Sequence, residues 1–263
     1  MKNVKSGEKL AKHYDALAEE YDVRYHHGLR AKIRNQIIFS TLEKLITKKP
    51  SRILDAGGGT GFYSIPLAVK GHEIIILDVS EKMLKKAREN AEESNVTERV
   101  RTILGDIYRL NFPNSYFDVV LCHLAFGHVS KPLKTLREFH RVLKKDGLLS
   151  LTVDNKYHHI IAEILRGNFL KAERILRTEN FFVSPRKGIP EIRTFTKDEI
   201  VSLCKNANFK IVSVKGMRII SDYLPIAQRK SKVLDRLETE MSKIEGLSSI
   251  GKHIYIVCRK AKI

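Results

Sequence analysis

Cysteine is scarce in this chain. Cys122, Cys204 and Cys258 lie far apart and match no zinc-ligand spacing, so no metal is expected. Buried free thiols in a reducing cytoplasm are the expectation. Long apolar runs are missing too. None approaches the roughly 18 residues of a membrane-spanning helix, and no membrane partner is expected. The opening Met1-Lys2-Asn3-Val4-Lys5-Ser6 has no apolar signal core behind it. Internal repeats and low-complexity segments are absent.

Acidic residues are the remaining shortage. The 263 residues carry 30 Asp and Glu against 48 Lys and Arg, a net charge of +18. Such an excess points to a polyanionic partner, most simply RNA or DNA. Lysine-rich surfaces also serve solubility or thermal stability. Hydrophobic content of 43% and charged content of 30% describe a soluble globular protein. The length suits one α/β domain with additions.

Against these absences stands one glycine-rich stretch, Arg52-Ile53-Leu54-Asp55-Ala56-Gly57-Gly58-Gly59-Thr60-Gly61. Ile53 and Leu54 sit in a short apolar run of the kind that makes a strand buried on both faces. Asp55 ends that run, and the glycines turn the chain. From Phe62 the apolar positions suit a short helix. Strand, glycine turn and helix form a nucleotide-cradling unit, because glycine admits close approach and a helix start offers free N–H groups. The spacing G-x-G-x-G differs from the dinucleotide pattern G-x-G-x-x-G, since Phe62 stands where the third glycine would be. A nicotinamide dehydrogenase is disfavoured on that ground.

The rest of the chain extends the pattern. Residues 8–49 read as two helices: Tyr14, Leu17, Ala18 and Tyr21 recur at helical spacing, Gly28 is a candidate break, and Ile33 to Ile46 form a second apolar stripe. These helices could cover a cleft, or simply pack. Ile74 to Leu77 is a second strand with Asp78 and Val79 at its carboxyl end, a place where an acid accepts ribose hydroxyls. Ser80 is a candidate helix cap. Val100 to Leu104, Phe117 to Cys122 and Leu148 to Val153 are further strands, with Gly105-Asp106-Ile107 after the third and His123 to Val129 after the fourth. Residues 155–195 break the alternation. One helix is expected from about Tyr157 to Leu176, and the stretch holds His158, His159, Arg166, Lys171, Arg174, Arg177, Arg186, Lys187 and Arg193. Thr196 to Glu199 is a capping box, followed by a helix, a sixth strand from Phe209 to Met217, an amphipathic segment from Gln228 to Glu245, and a last strand from His253.

Asp55 with Gly57, Gly59 and Gly61, then Asp78, then Asp106, resembles the motif series of class I S-adenosylmethionine-dependent methyltransferases. The resemblance implies an α/β, Rossmann-like fold: a seven-stranded, mostly parallel sheet in the order 3-2-1-4-5-7-6, the seventh strand antiparallel, with helices on both faces. It divides the chain into an N-terminal helical cap (1–49), a cofactor-binding core (50–154), a basic helical insertion on the substrate side (155–195) and the C-terminal part of the same core (196–263).

A closer resemblance covers nearly the whole chain. Asp55-Ala56-Gly57-Gly58-Gly59, His123-Leu124, Gly167-Asn168-Phe169, Gly216-Met217-Arg218-Ile219, Asp222-Tyr223-Leu224, Leu237-Glu238-Thr239 and Gly251-Lys252-His253-Ile254 are similar to the bacterial enzymes that esterify 5-carboxymethoxyuridine in tRNA. Glu179 to Arg193 matches poorly, and Gly127-His128 stands where that family carries an acid and an aromatic. The resemblance implies S-adenosyl-L-methionine as cofactor and tRNA as partner. It places Arg34, Gly57, Gly58, Asp78, Val79, Asp106, Ile107 and His123 at the cofactor, with Asp55 and Gly61 completing the glycine motif. A carboxylate nucleophile would need no general base, which agrees with the lack of a clear catalytic dyad. His123 and His128 are candidate bases for a hydroxyl or amine acceptor. Arg218 is a candidate partner for a carboxylate on the modified base, a salt bridge to Asp222 being the plainer reading. Lys205, Lys210, Lys215, Arg218, Arg229, Lys230 and Lys232 are candidate RNA contacts. A small-molecule methyltransferase and a non-catalytic RNA-binding protein of the same fold stay open as alternatives.

Overall fold

Strand residues that are apolar at every position demand cover on both sheet faces. β1 (Arg52–Ala56), β2 (Glu73–Asp78), β4 (Phe117–His123) and β5 (Leu143–Asn155) hold central runs buried on both faces, and β3 (Val100–Leu104) is a partly exposed edge strand. They pair in parallel in the order β3-β2-β1-β4-β5. The computed structural model describes residues 2–27, 29–47, 50–184, 190–225 and 231–261.

Successive strand residues point to opposite faces. Ile53, Ile74, Ile76, Val119 and Leu121 therefore join one apolar layer, and Leu54, Ile75, Leu77, Val120 and Cys122 the other. The first layer is closed by α3 (Leu29–Leu45), α4 (Ile65–Val69) and α5 (Glu81–Glu93), the second by α6 (Pro132–Val142) and α9 (Lys197–Asn206). Two expected caps form. Ser80 Oγ accepts from the Met83 N–H at 3.1 Å, and Thr196 Oγ1 from the Glu199 N–H at 3.1 Å.

The C-terminal residues add β8 (Phe209–Met217) and β9 (His253–Lys260). β9 lies antiparallel between β5 and β8. The seven strands thus run β3-β2-β1-β4-β5-β9-β8, the expected 3-2-1-4-5-7-6. The expected strand count is too low. The insertion contributes a hairpin, β6 (Phe182–Val183) and β7 (Ile192–Phe195), and β7 pairs with Asp154 and Asn155 at the end of β5. Nine strands are present among the described residues.

Two helix expectations need correction. The insertion holds two helices, α7 (Lys156–Leu165) and α8 (Phe169–Arg177). Gly167 at φ +76° ends the first. Asn168 then donates to Glu163 through its backbone N–H at 2.9 Å and its side-chain amide at 2.8 Å, which turns the chain back. The N-terminal region holds α1 (Lys2–Asp15) and α2 (Tyr21–Tyr25) before α3, three helices instead of two. Helix α1 stops where Asp15 is tied to the start of α5, accepting from Ser80 Oγ at 2.6 Å and the Lys82 N–H at 3.2 Å. Gly28, Arg186, Lys187, Arg229 and Lys230, and the start of the amphipathic segment at Gln228, lie outside the described residues. That segment is helical as α10 (Lys232–Met241). Cys122, Cys204 and Cys258 are buried and free. Among the described residues no helix is long and apolar enough to cross a membrane.

Candidate active site

The chain winds outward from β1 to β3 and returns to β4 beside β1, so the loops after β1 and β4 face each other across the carboxyl edge of the sheet. Ligands of doubly wound sheets bind at this switch point. The glycines of the first loop have different tasks. A Cβ on Gly57 would lie 2.5 Å from the Ala125 Cβ, so the bare position lets the β4 loop close in. A Cβ on Gly59 would meet only Met83 Sδ at 3.9 Å. Gly59 has φ +54° and faces the open cleft. Gly58 lies over the Asp55 carboxyl, and Gly61 against Ile65 and Ile76.

The cleft holds about 840 Å³ of empty space, its mouth included. Gly57, Gly59, Asp78, Val79, Asp106, Ile107, His123 and His128 line it together. Arg34, Asp55, Gly58, Gly61 and Arg218 lie outside its lining. Asp55 is buried beneath the loop, and Arg218 is buried farther along the sheet edge, paired with Asp222.

Two acids mark the near wall. Asp78 accepts from the Gly59 N–H at 2.9 Å and the Ser80 N–H at 2.9 Å, so it shapes the glycine loop as well as facing the cleft. Burial pushes its carboxyl up to about 6, while the N–H groups of Ser80, Gly59 and Val79 pull it back. Asp106 is half-buried, accepts from the Tyr108 N–H at 3.0 Å, and is raised by burial.

The far wall carries two neutral imidazoles. Burial lowers His123 to about 3, with the Arg34 guanidinium adding to the shift. Its Nε2 lies 3.3 Å from Ser150 Oγ, and its Nδ1 is buried without a hydrogen-bond partner. His128 is lowered to about 4, again by burial, while the Glu191 backbone opposes the shift. Its Nε2 lies 2.9 Å from the Tyr14 hydroxyl.

Arg34 is 3% exposed. It donates from Nε to Tyr63 Oη at 3.0 Å and from Nη2 to the Tyr25 carbonyl at 2.6 Å. Among the described residues no carboxylate pairs with it. A buried cation held only by neutral groups is costly and favours an anion nearby.

Residues of the N-terminal cap complete the cleft and were not singled out as site residues. Leu10, Tyr14 and Tyr21 close it from above. Asp22 anchors that cover by accepting from Thr60 Oγ1 at 2.6 Å. Helical periodicity marks Tyr14 and Tyr21 as one face, but it cannot say what that face covers.

Asp55 carries a stability prediction. Burial raises its carboxyl to about 7, a Ser64 hydrogen bond opposes that, and Asp78 adds to it. The folded value exceeds the unfolded one, so the stabilising contribution is complete below about pH 4 and is lost as pH rises through about 7. Asp55→Asn should therefore be more stable than the parent by about 2–4 kcal/mol near pH 8, the gap closing toward pH 4. Urea unfolding across this range is the measurement. Parallel curves for the two proteins would mean that Asp55 stays ionised at no cost.

A cleft of this form on this sheet defines a class. Residues 54–151 match the family model described as "Methyltransferase domain". The chain thus carries a methyltransferase domain, and along its length it is similar to S-adenosylmethionine-dependent methyltransferases. It is 25% identical to the tRNA 5-carboxymethoxyuridine methyltransferase of Escherichia coli K12, over 95% of this chain and 96% of that protein. The ubiquinone/menaquinone biosynthesis C-methyltransferase of Vibrio cholerae is 27% identical over 68% of this chain and 66% of its own length. An S-adenosylmethionine-dependent methyltransferase of Methanosarcina mazei shares the fold, with TM-score 0.61, 19% identity, and 85% of this chain and 98% of that one covered. The [4+2]-cyclase SpnF also shares it, at TM-score 0.59 and 19% identity over 86% of this chain and 80% of that one. Architecture alone therefore does not set the reaction.

Proposed function

We propose that the cleft between the β1 and β4 loops binds S-adenosyl-L-methionine and that the methyl acceptor is a carboxylate on a modified tRNA nucleoside. The observation that carries the tRNA reading is similarity to the E. coli enzyme along 95% of the chain, insertion and C-terminal strands included. The +18 charge supports it. The residues also fit the cofactor. Gly59 leaves space where a side chain would intrude, Asp78 and Asp106 offer acceptors at the ends of β2 and β3, and Arg34 is a buried cation with no carboxylate partner among the described residues. Asp78 would take the ribose hydroxyls, Asp106 and Ile107 the adenine, and Arg34 the methionine carboxylate.

When bound, S-adenosylmethionine supplies a methyl group already activated on a sulfonium. The chain's own residues then have three tasks. The glycine loop and Asp78 orient the donor. Leu10, Tyr14 and Tyr21 exclude water from above. His123 and His128 present neutral imidazoles to the cleft, which keeps positive charge away from a sulfonium. A carboxylate acceptor needs no proton removed, so neither histidine has to act as a base. The first part of the chain would then be a helical cap (1–49) over a core (50–154), residues 155–195 facing the substrate.

A small-molecule acceptor is the second reading, favoured by similarity to quinone-biosynthesis methyltransferases. Labelled S-adenosylmethionine incubated with the protein and either bulk tRNA or a small-molecule extract separates the two. The tRNA reading expects label in tRNA, and binding that falls steeply with salt as phosphate counterions are released. Label confined to small molecules, with no tRNA binding at low salt, would end it.

A further inference from the structure

Three stretches that lie far apart in sequence meet beyond the cleft. Glu238 of α10 is fully buried, and its carboxylate accepts from the backbone N–H groups of Ile219 (2.7 Å), Ile220 (2.9 Å) and Ser221 (2.6 Å). This anchors the loop after β8, whose first residue, Arg218, has φ +58°. The Lys252 N–H donates to the Arg218 carbonyl at 3.1 Å, joining that loop to the start of β9. Holding three N–H groups on one buried carboxylate is an expensive way to build a loop unless its side chains have a task.

Those side chains are polar and incompletely paired. Arg218 donates from Nη2 to both Asp222 oxygens, but its Nε has no partner. Ser221 Oγ, His158 Nδ1 and His253 Nδ1 also lack partners. Arg218, Ser221, His158 and His253 are each less than a tenth exposed. They surround the same acids: His158 Nε2 lies 4.0 Å from Asp222, His253 pairs in register with Asp154, and Lys252 Nζ reaches Asp154 at 2.6 Å. Arg218 Nε–H can only donate, Ser221 Oγ–H can donate, and each histidine Nδ1 donates in one of its two neutral tautomers. Two buried donors and two buried imidazole nitrogens without partners mark a place for an acceptor-rich ligand, each ring taking the tautomer that donates from Nδ1.

Its place is set by strand order. His123 of the cleft pairs with Thr152 of β5, Asp154 of β5 with His253 of β9, and His253 with Met217 of β8, just before Arg218. The donors therefore occupy the same sheet edge as the cleft, one to three strands away at roughly 4.8 Å per strand. Lys252, His159 and Asp154, beside the group, are partly exposed to solvent.

We propose that Arg218, Ser221, His158 and His253, with Lys252, form the pocket for an oxyanion of the methyl acceptor, a carboxylate or a phosphate. The inference rests on the methyl-transfer reading of the neighbouring cleft. The test is a titration of the full chain with acetate, inorganic phosphate and neutral acetamide at constant ionic strength, followed by long-range ¹H–¹⁵N NMR of the histidine rings. Either anion should shift the His158 and His253 signals saturably, and acetamide should not. Tighter binding of phosphate assigns the group to a nucleotide backbone, tighter binding of acetate to an acceptor carboxylate. Ser221→Ala removes one donor and leaves the Arg218–Asp222 pair intact, so it should weaken the anion severalfold at unchanged melting temperature. Arg218→Gln should weaken it about tenfold or more. Equal shifts with acetate and acetamide, no shift with either anion, or a Ser221→Ala protein that melts earlier yet binds the anion normally would each overturn the proposal. A parallel S-adenosylmethionine titration read at His123 keeps the readings apart. Anion binding without cofactor binding sinks the cofactor site alone.

Discussion

Arg34→Ala is expected to cost about 2–5 kcal/mol in S-adenosylmethionine affinity while barely changing adenosine affinity. The guanidinium is buried on α3 and its two strongest partners are neutral oxygens, on Tyr63 and Tyr25. The charge was desolvated at folding with no carboxylate among the described residues to repay it. A ligand carboxylate would repay it, and a planar guanidinium can meet a carboxylate with two parallel bonds. Adenosine has no carboxylate, so it should not register the loss. Arg34→Ala also removes the bonds to Tyr63 and Tyr25, so some fall in melting temperature is expected with it. Arg34→Lys separates the two effects: it keeps the charge and should recover part of the cofactor affinity. Calorimetric titration of both ligands decides the matter. Equal losses for cofactor and adenosine would show that Arg34 supports the site through Tyr63 only.

Gly59→Val should abolish S-adenosylmethionine binding, and Gly59→Ala should weaken it by about 1–3 kcal/mol. The two glycines at the centre of the loop are not equivalent in this respect. At Gly57 an added Cβ meets Ala125, so substitution there strains the fold itself. At Gly59 the Cβ has no close protein neighbour and enters the cleft. Its positive φ adds a backbone cost of about 1–2 kcal/mol for any other residue, which appears as lost stability. Gly57→Ala is the control, predicted to lose stability more than affinity. Thermal unfolding with calorimetric titration on the same samples reads both quantities. A Gly59→Val protein that binds the cofactor at full strength would move the ligand out of this cleft.

The motif series was legible because each element of it is local. A short apolar run, a glycine turn directly after it, and an acid at the end of the next strand can each be read from a few consecutive residues, and chain stereochemistry largely dictates what they form. The helix caps at Ser80 and Thr196 were legible for the same reason, since a cap involves residues three apart. Gly167 ended a helix that periodicity had drawn through it, because apolar spacing continued on both sides and only the backbone reversal separates the two.

What the sequence by itself determined is the switch point and its row of residues: Gly57, Gly59, Asp78, Val79, Asp106, Ile107, His123 and His128 all line one cleft. What only the tertiary structure decided is which distant groups meet around and beyond it. Arg34 lies beneath the cap beside Tyr63, Asp15 ties α1 to α5, and Glu238 holds the loop that carries Arg218. The reason is range. Local sequence sets the conformation and the exposed face of a segment. The partner that face meets depends on how strands separated by a hundred residues are ordered in the sheet, and no local pattern records that order.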